Sequence, residues 1–199
     1  IANRRRDDHD LTRGCAALAV LSGEQPLADH TLEHLGETDA GELLEAFHPG
    51  SIGGAGDADA LTHVAGYACF NDGSIRDWQR HTHQFTPGKN FPASGSFGPW
   101  MVTSDELPDP TRCRLETRLN GQVMQQADVA ELYFDIPTLI EYCSAWTTLN
   151  PGDVIVTGTP GGVGAARKPP VWMQPGDTVE VDISGVGVLR NTVVDEAGT

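Results

Sequence analysis

Apolar residues cluster in short runs after residue 60 and thin out before it. Val64 to Phe70 is a nearly continuous apolar run, the pattern of a strand buried on both faces. Leu115–Leu119 and Gln122–Gln125 flank Asn120-Gly121, a pair that tolerates positive φ, and together they predict a hairpin. Ile136, Leu139, Ile140 and Cys143 recur at spacings of three, four and seven. That period predicts a helix opened by Asp135 with Pro137 in its first turn. Pro151-Gly152-Asp153 and Pro175-Gly176-Asp177 each launch a strand, Val154–Thr157 and Val179–Ile183. A last hairpin turns at Gly185-Val186-Gly187 and returns through Val188 to Val194. Ser74 is placed to cap a single helical turn through Arg76, Trp78 and Gln79.

The first third reads differently. Cys15–Val20 predicts one strand ending at Ser22-Gly23, and Asp39 could cap a short helix carrying Leu43, Leu44 and Phe47. Pro49 to Gly56 is so rich in glycine that it holds no structural preference. The division expected is an N-terminal arm or subdomain over 1–56 and a main domain over 57–199. Many short strands, one good helix and tight glycine turns predict an α+β, β-rich roll or distorted barrel.

Composition narrows the partners. The chain has 199 residues, with 13 Lys+Arg against 28 Asp+Glu, a formal net charge of −15. That sign repels phosphate backbones, so no nucleic-acid partner is expected. No apolar run approaches a membrane span and no hydrophobic segment follows the basic cluster at Arg4–Arg6, so neither a membrane nor a secretory leader is expected. Cys15, Cys69, Cys113 and Cys143 show no C-x-x-C spacing and sit in apolar contexts, which suits reduced core thiols in a cytoplasm.

Three segments carry candidate chemistry. Asp72 ends a buried strand, with Arg76 and Gln79 on the next turn; such a set can hold a cation and an anionic substrate. On spacing alone the plainer reading is that Asp72 caps the turn and Arg76 pairs with Asp77 or another acid. Lys89, between Pro87-Gly88 and Phe91, is placed for partial desolvation and enolate stabilisation, or is a solvated loop lysine. Thr157 to Gly164 is a glycine-rich turn after a strand. It has no G-x-G-x-x-G register, and Pro169-Pro170 blocks a following helix, so it is no nucleotide loop; its N–H groups and Thr159 suit a carboxylate instead. His81 and His83 would share one side of an extended chain, more in keeping with polar surface than with a metal pair. Trp146 and Trp172 are expected in core or rim packing.

In this order, the segments Gly66–Asp72, Ser74–Gln79, Pro87–Phe91, Phe97–Thr103, Leu119–Gly121, Pro151–Ile155, Thr157–Gly164 and Gly176-Asp177 resemble the fumarylacetoacetate hydrolase superfamily from about residue 57 to 194. The resemblance implies a mixed β-roll with short helices, usually a homodimer, binding Mg²⁺ or Mn²⁺ and acting on small acidic 1,3-dicarbonyl, oxo-acid or enol substrates. It implies C–C hydrolysis of an acylpyruvate or fumarylpyruvate type, with oxaloacetate-type decarboxylation or hydroxymuconate-type isomerisation as alternatives. By the same resemblance Asp72 matches a metal carboxylate, Arg76 and Gln79 groups near metal and substrate, Lys89 the lysine beside the metal, and Thr159 a carboxylate-binding hydroxyl.

The first third departs from the pattern. The family places an E-x-E pair, supplying two more metal carboxylates, before the segment matched by Ala65 to Asp72, and further upstream a lid whose His and Glu activate water. Neither is found: Glu24, Glu33, Glu37, Glu42 and Glu45 are scattered. One expectation is that a stretch of chain around residues 49–56, carrying both, is missing. The competing expectation is a truncated, metal-poor homologue that binds a ligand or partner without turnover.

Overall fold

The computed structural model describes residues 59–195 and, as backbone, residues 15–21. The expected Asp39 helix, the glycine stretch at 49–56 and the rest of the arm lie outside the described residues.

Among the described residues, eight strands form two four-stranded antiparallel sheets. In chain order they are β1 (Cys15–Leu21), β2 (Val64–Asp72), β3 (Gly95–Thr103), β4 (Arg114–Leu119), β5 (Gln122–Asp128), β6 (Val154–Val156), β7 (Thr178–Ile183) and β8 (Gly187–Thr192). The first sheet runs β3-β2-β1-β6 and the second β5-β4-β7-β8. Among the described residues, two α-helices lie in the connections, α1 (Arg76–Gln79) between β2 and β3 and α2 (Ile136–Trp146) between β5 and β6. The β-rich α+β class expected from the pattern is the one observed.

The apolar run at 64–70 is explained by its place. β2 is hydrogen-bonded on both edges, to β1 and β3, and Val64 to Cys69 are buried throughout. Tyr67 and Cys69 join Leu115, Val181, Ile183 and Ile140 in one core between the layers. Burial pushes the Cys69 thiol up to about 11, so it stays protonated at neutral pH. Cys69, Cys113 and Cys143 are free thiols. The β4–β5 hairpin turns at Asn120-Gly121, with φ of 50° and 79°. Asp135 caps α2 by accepting from the Thr138 N–H at 2.9 Å, and the helix buries Ile136 and Ile140.

Two expectations are corrected, and one strand is added. β3 is a strand that the pattern did not predict: Gly95, Gly98 and Pro99 break its apolar period, and only an edge position accommodates that proline. Ser74 does not cap α1; Ile75 is the N-cap without a side-chain bond, while the buried Ser74 hydroxyl donates to the Asp72 carbonyl at 3.3 Å. Trp146 is 68% exposed rather than packed, because α2 turns Ile136, Ile140 and Ser144 inward instead. Among the described residues, no helix is long and apolar enough to cross a membrane.

Candidate functional site

β2 ends at Asp72, and the chain turns at once into α1, whose inner side buries Arg76 and Gln79. Arg76 Nη1 donates to Gln79 Oε1 at 2.5 Å. Gln79 is 1% exposed, and among the described residues its Nε2 has no acceptor. A buried amide donor left open costs free energy unless something fills it, so it marks a place for an oxygen.

The Pro87-Gly88 turn packs directly on α1. The Ile75 N–H donates to the Gly88 carbonyl at 2.9 Å. A Cβ at Gly88 would lie 2.6 Å from Gln79 Cβ and 2.7 Å from its Cα and N, so glycine is what permits the approach. The close seat delivers Lys89 to the end of β2, where its ammonium donates to Asp72 Oδ2. Lys89 and Asp72 side chains are 22% and 21% exposed, so the lysine is largely enclosed and is not a solvated loop residue.

The glycine-rich turn after β6 is held from the second sheet. Gln125 on β5, itself buried, donates from Nε2 to Thr159 Oγ1 at 2.9 Å and to the Pro160 carbonyl at 2.8 Å. Arg167 ties the same turn to β5, donating to the Gly162 carbonyl at 3.0 Å and to the Met124 carbonyl. Gly162 has φ of +105° and lies against Met124, where no side chain would fit. Thr159 lines a cavity of about 280 Å³ between this turn, the start of β4 and the segment after β5.

Register places the two groups at one end of the first sheet. β1 runs antiparallel to both β2 and β6, with Cys15 opposite Phe70 and Leu18 opposite Val156. Both β2 and β6 therefore leave the sheet at the Cys15 end of β1. Asp72 and the Thr157–Thr159 turn flank that end at about two strand spacings, roughly 10 Å. Arg76, Gln79, Lys89 and Asp72 come together on one flank; Thr159 stands on the other.

A divalent cation does not fit the described residues. Asp72 supplies one carboxylate, already paired with Lys89, whereas a hard cation takes several oxygen ligands. β1 brings Cys15, Ala16 and Ala17 to this end, with no carboxylate among them. Among the described residues, no three His, Cys, Asp or Glu side chains converge. His81 and His83 are exposed, and His81 lies 4.8 Å from the Trp78 ring.

Sequence reasoning passed over Gly88, Gln125 and Arg167. Gly88 was legible only as a turn, and the other two act through partners 34 to 43 residues away.

Comparison with known proteins bears on this arrangement. Residues 50–194 match the family described as fumarylacetoacetate (FAA) hydrolase, C-terminal. The chain is 44% identical over 138 residues to the mitochondrial oxaloacetate tautomerase FAHD2A of Bos taurus, covering 68% of this chain and 44% of the relative. It therefore spans less than half the length of that curated relative. Among solved structures, a fumarylacetoacetate hydrolase from psychrophilic Exiguobacterium antarcticum aligns with a TM-score of 0.77 at 32% identity, covering 94% of this chain and 57% of that one. A 5-carboxymethyl-2-hydroxymuconate delta-isomerase from Mycobacterium smegmatis aligns with a TM-score of 0.74 at 32% identity, covering 96% and 62%.

Proposed function

The chain belongs to the fumarylacetoacetate hydrolase family, and from that premise we propose that it cleaves a carbon–carbon bond in a small acidic 1,3-dicarbonyl or oxo-acid substrate of the acylpyruvate or fumarylpyruvate type. The observation that carries the reading is the enclosed Lys89 ammonium, held by Asp72 at the end of β2. Water adds to one carbonyl, that fragment departs as a carboxylic acid, and the electron pair of the broken bond delocalises into the other carbonyl as an enolate that is then protonated. A positioned cation beside that oxygen is worth most where water is largely excluded. Asp72 fixes the ammonium in place; the Gln79 amide supplies a donor for a substrate oxygen, and Arg76 sits beside it. Thr159, braced by Gln125, takes the substrate carboxylate. Mg²⁺ or Mn²⁺ belongs to the proposal as the resemblance implies it. The described residues offer such an ion Asp72 alone, so the steps given are those of the protein's own groups. A cytoplasmic homodimer completes the reading.

A second reading is tautomerisation or isomerisation, favoured by the names of the bovine and mycobacterial relatives. It passes through an enolate formed by proton removal rather than by bond cleavage, which the Lys89 ammonium would stabilise in the same way, and it needs no activated water.

The test is turnover of acylpyruvates beside oxaloacetate, with Mn²⁺ present, by wild type and Lys89→Ala. The variant should lose about 10²–10³-fold in kcat, the scale of removing one oxyanion donor, with unchanged far-UV circular dichroism. Wild-type-like rates in the variant would refute the role of Lys89. Saturable substrate binding without turnover by wild type would establish a binding protein instead.

A further inference from the structure

We infer that the 280 Å³ cavity beside Thr159 seats the apolar tail, a short branched alkyl or a phenyl group, of a substrate whose only carboxylate on this side is the one at Thr159. The inference rests on the reading of Thr159 as the carboxylate seat and deepens it by naming the substrate class.

Three observations carry it. The first is continuity, because Thr159 and Pro160 form one wall of the cavity. A substrate anchored at the Thr159 hydroxyl thus borders the cavity, which Asp72, Arg76, Gln79 and Lys89 do not line. The second is the lining. Leu115 and Val129, 4% and 6% exposed, belong to the main core, and Leu132 packs against that core beside them. Phe134, 56% exposed, stands at the opening. An apolar cavity of about 150 Å³ is enough for a benzene ring, so this one has room for a ring and its link to the reacting carbons. Against Leu115, Val129 and Leu132 a desolvated polar group would lose hydration without replacement.

The third observation is charge. Asp128 and Glu131 are exposed and line the same cavity. A second carboxylate on the tail would approach two like charges in a molecule of formal net charge −15, and like charges in a partly enclosed site repel strongly. Apolar lining favours one tail and the rim acids disfavour the other, so both act in the same direction. The cavity therefore selects a monocarboxylate oxo acid with an apolar end against a compact dicarboxylate such as oxaloacetate.

Two probes sharing one 2-oxobutanoate chain and differing only in its end group, neither a 1,3-dicarbonyl that could be cleaved, test this by titration calorimetry on the full chain. They are 2-oxo-4-phenylbutanoate, with a phenyl end, and 2-oxoglutarate, with a carboxylate end. The phenyl probe should bind at least about ten-fold more tightly, the difference one buried apolar group supplies. Asp128→Asn/Glu131→Gln should tighten 2-oxoglutarate several-fold and leave the phenyl probe unchanged. Phe134→Ser, at a position 56% exposed, should weaken the phenyl probe alone, with unchanged far-UV circular dichroism. Equal affinities, a preference for 2-oxoglutarate or binding of neither probe would overturn the inference. Thr159→Val separates the two levels of the argument. Equal weakening of both probes supports the carboxylate seat. A retained phenyl preference with no effect of Thr159→Val would remove that seat from the proposed function while the cavity assignment stands.

Discussion

Lys89 and Asp72 are 17 residues apart and meet because one glycine between them has no side chain. Gly88 lies on the Gln79 backbone, which cannot swing away as a side-chain tip would. Gly88→Ala should therefore destabilise the fold by about 1–3 kcal/mol, the range for overpacking, and lower turnover by displacing Lys89. Urea unfolding and the acylpyruvate assay measure the two effects. Gly161→Ala is the control, since nothing lies within 4 Å of a Cβ there; its stability should stay within about 0.5 kcal/mol of wild type. The contrast ties the cost to packing rather than to glycine content.

Among the elements, α2 shows how local chemistry and packing divide the work. Its single inward stripe is short, and its outer side leaves Tyr142 and Trp146 69% and 68% exposed. The start of the helix depends on Asp135, whose carboxylate accepts from the Thr138 N–H that no helical carbonyl can reach. Asp135→Ala should cost about 1 kcal/mol of unfolding free energy, read as a lower urea midpoint with an unchanged slope. The cap also fixes where the segment ahead of it ends. Tyr133 and Phe134, in edge-to-face contact at 4.8 Å, are held at the cavity mouth immediately before Asp135.

Over the whole molecule, the outer face of the second sheet manages an acidic chain with a ladder of ion pairs. Arg118 on β4 donates to Glu180 and Asp182 on β7 at 3.0 and 2.9 Å and to Glu116 at 2.7 Å; Arg190 on β8 adds a second partner for Glu180. Hydrogen bonds from Arg118, then from Arg190, hold the Glu180 carboxyl below its ordinary value of 4.5. A carboxylate whose folded pKa is depressed stabilises the fold above its unfolded pKa, and loses that contribution as pH falls through the folded value. Glu180→Gln should lower the melting temperature by a few degrees near neutral pH, where the pair is intact but solvent-screened. The two proteins should converge once the pH is well below 4.5. Melting curves across the acid range check the sign, and a gap that widens on acidification would contradict it.

What the sequence determined by itself is what depends on neighbours along the chain. The doubly apolar run of β2, the Asn120-Gly121 hairpin, the capped period of α2 and the order of short motifs each carry their cause within a few residues. The family and the β-rich class were legible for that reason. Tertiary structure alone decided the rest. β3 follows no apolar period, because an edge strand is ordered by its partner's hydrogen bonds and tolerates Pro99. Asp72 took Lys89 because Gly88 packs on α1, a contact that no spacing rule announces. Thr159 gained its brace and its cavity from β5 and the chain after it, across the gap between sheets. Local pattern dictates which elements form, whereas the site is made of contacts between elements, and those exist only once both layers have closed on the core.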